Sequence, residues 1–423
     1  MIRRVEVLHY RALKYINIEL SNFQILVGPN GSGKSTFLDT LDFLKEALNE
    51  SPRKAVEKRA SHFDELMWKH EGKQFEISLE LEIPAEVRKK LKDNEFTQIH
   101  YQISFHADEK KGVGIGGESL WLINNKDNQS LETEKSQNGR QLSLFPAEPE
   151  EPNTILHPRR QTPQGWRKII AKGPMSDHFI SETTDWTITY KLGPDKSSLA
   201  RMPEDEKNFP VTLWARNVLM EGIQFLQLNS VAMRWPCRPD APLALQVDGS
   251  NLPKVIQYLK KAKPASFDRW VKHVQTALPE IERIEVKERP EDRFLYLNIR
   301  QKSGVDFPSW MISDGTLRLL VLTLIAYLPE KNQIYMIEEP ENGLHPMAIE
   351  TVFQSLSSVY DNQVFLATHS PAVLRLAEPK EILCFSKMAS GAVDIIHGDQ
   401  HPRLKNWRKD VDLATLHGAG VLQ

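Results

Sequence analysis

FQILVGPNGSGKST, residues 23–36, decides how this chain folds. Phe23 to Val27 is a short apolar run with the length and composition of a buried strand. Gly28, Pro29, Asn30, Gly31, Ser32 and Gly33 follow, a run that reads as a tight turn. Lys34, Ser35 and Thr36 then open a segment in which Phe37, Leu41, Leu44 and Leu48 recur at helical spacing. Strand, glycine-rich turn and helix in this order match the G-x-x-x-x-G-K-[ST] pattern of a phosphate-cradling loop. Glycines let the backbone fold tightly enough for its N–H groups to face phosphate oxygens, and the helix N-terminus adds a favourable dipole. In such a loop Lys34 would reach the β- and γ-phosphates and Ser35 would ligate Mg²⁺.

Three downstream segments carry complementary chemistry. IYMIEEPENGLHP (334–346) is an apolar strand that ends in Glu338 and Glu339 and is stopped by Pro340. A carboxylate at a strand tip can hold a magnesium shell, and a second can activate a water for in-line attack on a phosphate. LATHSP (366–371) is another strand ending in a polar turn, where the His369 imidazole suits a γ-phosphate or the attacking water. SDGTLRLL (313–320) precedes an apolar helix. Ser313 is a good N-cap there and Gly315 permits close backbone approach, so a plain helix cap and a phosphate contact both fit.

The order of these segments resembles the ABC-type ATPase heads of the SMC, RecF and OLD (overcoming lysogenization defect) families. It resembles most the compact bacterial group named "AAA family ATPase", whose ATPase is ABC-like rather than a ring. The phrases VDGSNLPKVIQYL (247–259) and DLATLHGAGVL (412–422) also look like that group. The resemblance implies that Gly28 to Thr36 is the Walker A motif, that Glu339 is the Walker B catalytic carboxylate with Glu338 beside the magnesium, and that His369 is the switch histidine. Ser313, Asp314, Gly315 and Thr316 would form the signature that binds ATP held by a second protomer. Glu341 to His345 would be the loop crossing the dimer interface. The implied assembly is a homodimer, or a higher even oligomer, closed on two ATP molecules. Departures are visible. The signature is not Leu-Ser-Gly-Gly-Gln, Glu338 stands where an aspartate is usual, and so does His345. Gln74 is the one weak candidate for the family's Q-loop glutamine.

Working outward, the chain is expected to be α/β, a P-loop NTPase of the ABC-head type with a polar insertion and a helical lobe. The boundaries read from composition are an N-terminal lobe at 1–108 and a polar insertion at 109–210, followed by a helical subdomain at 211–285 and a C-terminal lobe at 286–423. Strand patterns are expected at 73–83 and 99–108, and inside the insertion at 119–123 and 186–192. Residues 124–165 read as a long surface excursion. The last third alternates helix (314–328), strand (334–337), helix (347–358), strand (364–368) and strand (381–386), which implies a parallel sheet.

Composition narrows the class. In 423 residues, 54 Lys and Arg balance 56 Asp and Glu, which excludes a histone-like polycation. Two cysteines, Cys237 and Cys384, build no disulfide framework and suit a reducing, cytoplasmic setting. The most apolar run, LRLLVLTLIAYL (317–328), falls short of the roughly 20 residues that span a bilayer. A Toprim nuclease domain needs on the order of a hundred residues, and 54 follow His369. The lone Asp-x-Asp pair there, Asp410 and Asp412, leaves that fold no room, so a nuclease would be a separate chain. HPRRQTPQGWRKIIAK (157–172) carries Arg159, Arg160, Arg167 and Lys168 with a tryptophan and no acid. It suits a solvated loop or a nucleic-acid backbone contact. QLSLF, with Gln141, Leu142, Leu144 and Phe145, matches the short peptide that binds bacterial sliding clamps.

The expected function is an Mg²⁺-dependent ATPase whose ATP-closed dimer is the sensor or scaffold of a bacterial anti-phage system, controlling a separate Toprim- or HNH-type nuclease. The alternative is a RecF-like repair ATPase that binds DNA and contacts the clamp.

Overall fold

The computed structural model describes residues 1–91, 95–108, 112–124, 151–158, 162–173, 176–184 and 186–401. These divide into two compact units. Unit 1 takes the described residues of Met1–Ser21, Gly28–Ile223 and Phe385–Ile396, and unit 2 takes those of Asn22–Val27, Gln224–Cys384 and His397–Gln423.

Unit 1 is built on one antiparallel sheet of β1 (Ile2–Tyr10), β2 (Leu13–Glu19), β4 (Gln74–Glu82), β5 (Gln98–Asp108), β6 (Gly112–Ile123), β7 (Trp166–Lys172), β8 (Asp177–Ile180) and β9 (Thr187–Tyr190). Its strand order is β2-β1-β4-β5-β6-β7-β8-β9. Helix α1 (Lys34–Asn49) buries Phe37, Leu41, Leu44 and Leu48, the face expected from their spacing. Phe43 of α1 packs edge-on against Phe75 of β4 and Phe105 of β5, with ring centroids 5.3 and 5.1 Å away. One face of the sheet is thus aromatic and apolar.

The opposite face carries the polar alternates, Glu76, Ser78, His100 and Gln102, and they are buried too. Glu118, opposite Ile103 in the register, is a buried carboxylate on the apolar side. Burial of such groups is tolerable only with partners. Chain segments laid across the sheet supply them. Glu76 accepts from Thr154 Oγ1 at 2.9 Å and from the Ile155 N–H at 2.7 Å. Gln102 accepts from the His157 N–H at 3.0 Å, and Glu118 accepts from the Ser198 and Leu199 N–H groups at 2.6 and 2.9 Å. Glu182 caps α2 (Pro210–Asn217) by accepting from the Val211 and Thr212 N–H groups, both at 2.7 Å. Burial pushes its carboxyl up to about 7 despite those bonds.

The stretch 109–210 contributes β6 to β9 to this same sheet. β6 contains the expected 119–123 strand and β9 lies within the expected 186–192. β7 and β8 had no legible pattern. In β7 (WRKIIAK), the pairing with β6 shifts register at Leu120/Trp121, which breaks the period-two alternation.

Unit 2 centres on parallel strands β3 (Phe23–Val27), β14 (Ile334–Glu338), β15 (Gln363–Ala367) and β16 (Ile382–Lys387), beside β10 (Ile223–Leu226), in the order β10-β14-β15-β3-β16. β14 pairs with β15, β15 with β3, and β3 with the first half of β16, all parallel. β3, β15 and the first four residues of β14 are wholly buried, as continuous apolar runs in a covered parallel sheet should be. A smaller antiparallel sheet joins β11 (Ile281–Glu288), β12 (Leu295–Gln301) and β13 (Asp306–Pro308).

The helices of unit 2 with six or more residues are α3 (Leu252–Ala262), α4 (Pro264–Ala277), α5 (Asp314–Leu324), α6 (Pro346–Ser357) and α7 (Pro371–Leu376). The apolar run expected to be helical to 328 is α5 plus one 3₁₀ turn, Ile325–Tyr327. Thr323 of α5 ties two neighbours: its Oγ1 accepts from Trp270 Nε1 at 3.0 Å, and its carbonyl accepts from Ser355 Oγ at 2.8 Å. Among the described residues no helix is long and apolar enough to cross a membrane.

Candidate functional site

In unit 1, Gly28 to Gly33 form the turn into α1. A Cβ at Gly28 would lie 2.3 Å from the Phe385 carbonyl oxygen, so no side chain fits. Gly33 is the N-cap at φ 99°, a left-handed conformation that favours glycine, and its Cβ would meet Val393 at 2.5 Å. Lys34 is buried and curls back over the loop. Its Nζ donates to the Gly28 and Pro29 carbonyls at 2.8 and 3.0 Å. The Ser32 hydroxyl is buried with no partner among the described residues. A buried orphan hydroxyl in a glycine turn at a helix start fits a phosphate oxygen, which would accept its proton. Asn30, Gly31 and Ser35 are exposed at the turn.

In unit 2, β3, β14 and β15 run parallel, so their carboxyl ends share one edge of the sheet. From the end of β3 the chain passes directly into Gly28. From β14 come Glu338 and Glu339, both exposed. Ligands of open parallel sheets bind at that edge. Glu339 stands at φ 47°, a left-handed conformation uncommon for glutamate. Its N–H donates to the Ala367 carbonyl at 2.7 Å, pulling the turn across the end of β15. The Asn342 side-chain amide donates to the Glu339 carboxylate, and the Asn342 N–H donates to the Glu339 carbonyl at 3.0 Å. Buried Thr368 donates through Oγ1 to Glu341 at 2.6 Å and accepts from the Ser370 N–H at 2.9 Å. His369 lies between these two anchors, half-buried, just before α7.

The start of α5 adjoins this turn. Ser313 caps the helix by accepting from the Thr316 N–H at 3.2 Å, and the two hydroxyls lie 2.9 Å apart. A Cβ on Gly315 would sit 2.3 Å from the Gly343 carbonyl oxygen. The 313–316 and 341–345 segments are therefore in direct contact, which spacing along the chain did not reveal. Arg234 pairs with Asp314 at 2.5 Å and donates through Nε to the Ile312 carbonyl at 3.1 Å. His345 caps α6, its Nδ1 accepting from the Met347 N–H at 3.3 Å.

Around Arg234 the surface is apolar. Val231, Trp235, Trp310 and Met311 are 63%, 69%, 51% and 62% exposed. They flank two short turns joined by Ser309 Oγ donating to the Arg234 carbonyl at 2.8 Å. Asn342, Thr368, Arg234 and this apolar rim were not read from the sequence. Asn342 and Thr368 lay inside quoted motifs, and their signal was adjacency to Glu339 and His369.

Other expected residues fall elsewhere. Gln74 opens β4 and donates to Glu76 at 2.7 Å. Arg167 donates to the Ser181 and Thr184 carbonyls at 2.7 and 2.9 Å, and Lys168 Nζ sits 4.2 Å from the Trp121 ring centroid. These two cations are thus engaged inside unit 1. Arg159, Arg160, Gln141, Leu142, Leu144, Phe145, Asp410 and Asp412 lie outside the described residues, as does the 412–422 phrase.

The donor set suits magnesium chemically. Each in its own unit, Ser35 and Glu338 carry hard oxygen atoms, the ligand type that Mg²⁺ takes alongside phosphates and waters. Among the described residues no group of three or more His, Cys, Asp or Glu gathers to cage a metal alone.

Residues 1–114 match the family described as "AAA ATPase domain". Residues 250–375 match the family described as "AAA domain, putative AbiEii toxin, Type IV TA system". No curated protein matches the chain. Among solved structures, a Smc head bound to the C-terminal winged-helix domain of ScpA aligns over 93% of this chain and 97% of that one, at 15% identity and TM-score 0.50. A Pyrococcus furiosus Smc head domain with an extended coiled coil, also bound to ScpA, aligns over 100% and 98% at 14% identity and TM-score 0.43. A Thermotoga maritima SMC head domain aligns over 94% and 98% at 12% identity and TM-score 0.41. The first of these supports the expected fold: a mixed α/β P-loop ATPase head of the SMC type.

Proposed function

We propose, for a chain that carries AAA-family ATPase domains on an SMC-head type fold, that ATP binding closes two copies and ATP hydrolysis releases them, and that this cycle controls a separate effector in bacterial anti-phage defence. The Gly28–Thr36 loop binds the phosphates through its N–H groups, the Ser32 hydroxyl and Lys34. Lys34, whose ammonium holds two loop carbonyls, turns that ammonium to donate to the β- and γ-phosphates on binding. Ser35 and Glu338 would hold magnesium, which would supply charge neutralisation at the phosphates. Glu339 takes a proton from the attacking water, and His369 bonds the γ-phosphate. The Asn342 amide orients the Glu339 carboxylate, and Thr368 fixes the neighbouring loop through Glu341.

The observation that carries the dimer is the exposed apolar rim beside Ser313. Trp235, Trp310, Met311 and Val231 form the kind of surface that marks an interface. A second copy would bring its ATP to Ser313–Thr316 and cover the rim. The defence role is supported by the description of the family matched at 250–375, which names a toxin of a toxin–antitoxin system. Smc heads of similar fold bind a separate winged-helix chain, and this head is proposed to engage its nuclease, of Toprim or HNH type, in the same manner as a non-membrane, cytoplasmic assembly.

The test is light scattering of the Glu339→Gln variant with and without ATP and Mg²⁺. A monomer that doubles in mass only with ATP, and fails to do so when Trp310→Ala is added, is the expected result. A mass indifferent to ATP refutes the proposal. Co-purification at native expression then reports the effector.

A further inference from the structure

The antiparallel sheet of unit 1 ends differently on its two sides. At one edge lies β2, which buries Ile16 and Ile18 and exposes Asn17 and Glu19. Exposed polar and charged groups of this kind discourage a sheet edge from pairing with another chain. At the other edge lies β9, preceded by Trp186. Trp186 and Tyr190 are 45% and 41% exposed, and Thr187 and Thr189 are exposed between them. Trp186 packs against Phe209 and Tyr190 against Phe179, with ring centroids 6.3 and 5.8 Å apart. The two rings thus carry the apolar side of the sheet out to its rim.

The register fixes which backbone groups of β9 face outward. β9 lies antiparallel to β8, with Phe179 opposite Ile188 and Asp177 opposite Tyr190. The Ser181 N–H donates to the Trp186 carbonyl at 2.8 Å in the same register. Trp186, Ile188 and Tyr190 therefore turn their backbone groups towards β8, and Thr187 and Thr189 turn theirs away from it. Among the described residues no strand lies beyond β9. An unpaired row of N–H and C=O groups is a template for another strand. This row is also self-complementary. With Ile188 on a two-fold axis, Thr187 of one copy faces Thr189 of the other as a hydrogen-bonded pair. Trp186 then faces Tyr190 as a non-hydrogen-bonded pair, the type that brings side chains closest. Of the registers that the outward groups allow, this one pairs both threonines and both aromatics. Such cross-strand pairs are what stabilise a sheet.

We infer that β9 is a self-pairing edge, through which two copies of the chain join their unit 1 sheets by antiparallel β9–β9 contact about Ile188. The contact is isologous, the same patch on both copies. It is separate from the proposed ATP-closed contact, which uses Ser313–Thr316 and the rim of Trp310 in unit 2, and it links ATP-closed pairs into larger even assemblies. β9 has four residues, so the patch is small. The contact belongs to the weak, transient class and forms at about 100 µM, while at low micromolar concentration the copies stay apart. The inference does not rest on the ATPase reading, and it is tested in a Lys34→Ala chain without nucleotide so that ATP closure contributes nothing.

Sedimentation velocity at rising concentration is the measurement. The weight-average mass of the Lys34→Ala chain should climb from one chain towards two as concentration passes about 100 µM. Adding Thr189→Pro should hold it at one chain. Proline lacks the N–H that faces the second copy, and it is tolerated on an edge strand where that N–H points outward. A charge swap guards against damage to the fold. Thr187→Lys with Thr189→Lys places lysine opposite lysine in the paired edge, and Thr187→Glu with Thr189→Glu places glutamate opposite glutamate. Each double variant alone should stay at one chain, because like charges directly opposite each other destabilise the pair. An equal mixture of the two should pair again, and high salt should weaken that pairing. Mixing does not restore a damaged edge. A mass that stays at one chain up to about 500 µM overturns the inference. So does association that Thr189→Pro leaves unchanged, or that Trp310→Ala removes instead. A mixture of the charged variants that stays at one chain overturns the register and the inference with it.

Discussion

The loop at Gly28–Thr36 and the turn at Glu338–His345 reach functional geometry by opposite means. The loop is made of backbone. Its glycines leave space where any Cβ would collide with Phe385 or Val393, and its chemistry lies in N–H groups, one lysine and one hydroxyl. The turn is made of side chains. Asn342 holds the carboxylate of Glu339, Thr368 holds Glu341, and a glutamate rather than a glycine stands at φ 47°. A backbone site binds what arrives; a side-chain site under strain is held for a particular proton transfer. The first should govern affinity and the second turnover.

Lys34→Ala should give the largest effect. It removes the proposed charge partner of the phosphate and, with it, the two bonds to the Gly28 and Pro29 carbonyls. Charge-assisted bonds of this kind contribute about 1.5–3 kcal/mol each, so ATP affinity by titration calorimetry should fall a hundredfold or more. Glu339→Gln should come next. Hydrolysis should drop by about 10² to 10⁴, the usual contribution of a positioned base, while ATP affinity stays as it was. If Glu339→Gln weakens binding as much as Lys34→Ala, the division of labour between loop and turn is wrong.

Much of this contrast was legible in the sequence because glycine has few reasons to recur at such spacing. GPNGSGKST names its conformation almost residue by residue, and the strand and helix around it obey simple periodicities. The parallel sheet of unit 2 was legible for the same reason, since β14, β15 and β16 are short apolar runs bounded by breakers. The contact of Gly315 with the Gly343 carbonyl was not legible. It depends on how α5 packs beside a turn some 30 residues away, and no local pattern encodes it. Nor was β7, whose alternation is broken by a register shift and crowded with Arg167, Lys168 and Lys172. Nor was the burial of the Glu76 and Glu118 carboxylates legible, since charged residues are mostly exposed. Only the folded chain shows backbone N–H groups of distant segments meeting those carboxylates.

Glycine substitutions sharpen the comparison at lower cost. Gly28→Ala and Gly315→Ala both place a Cβ 2.3 Å from a carbonyl oxygen, so each should destabilise its unit by about 1–3 kcal/mol in denaturant titration. Gly31→Ala meets nothing within 4 Å and carries only the left-handed backbone cost at φ 75°, about 1 kcal/mol. Equal losses at Gly28 and Gly31 would mean that conformation, not clearance, is what the loop needs from its glycines.

The smallest effect should have the opposite sign. Asparagine tolerates the left-handed region far better than glutamate does. Glu339→Asn should therefore relieve the strain at φ 47° and raise stability by about 0.5–1 kcal/mol, while abolishing hydrolysis because the carboxylate is gone. Such a gain would show that the turn keeps a glutamate at a conformational cost that only its chemistry explains. A Glu339→Asn protein less stable than the original would show instead that the bond from Asn342 outweighs the strain, and the turn would then be as relaxed as the loop.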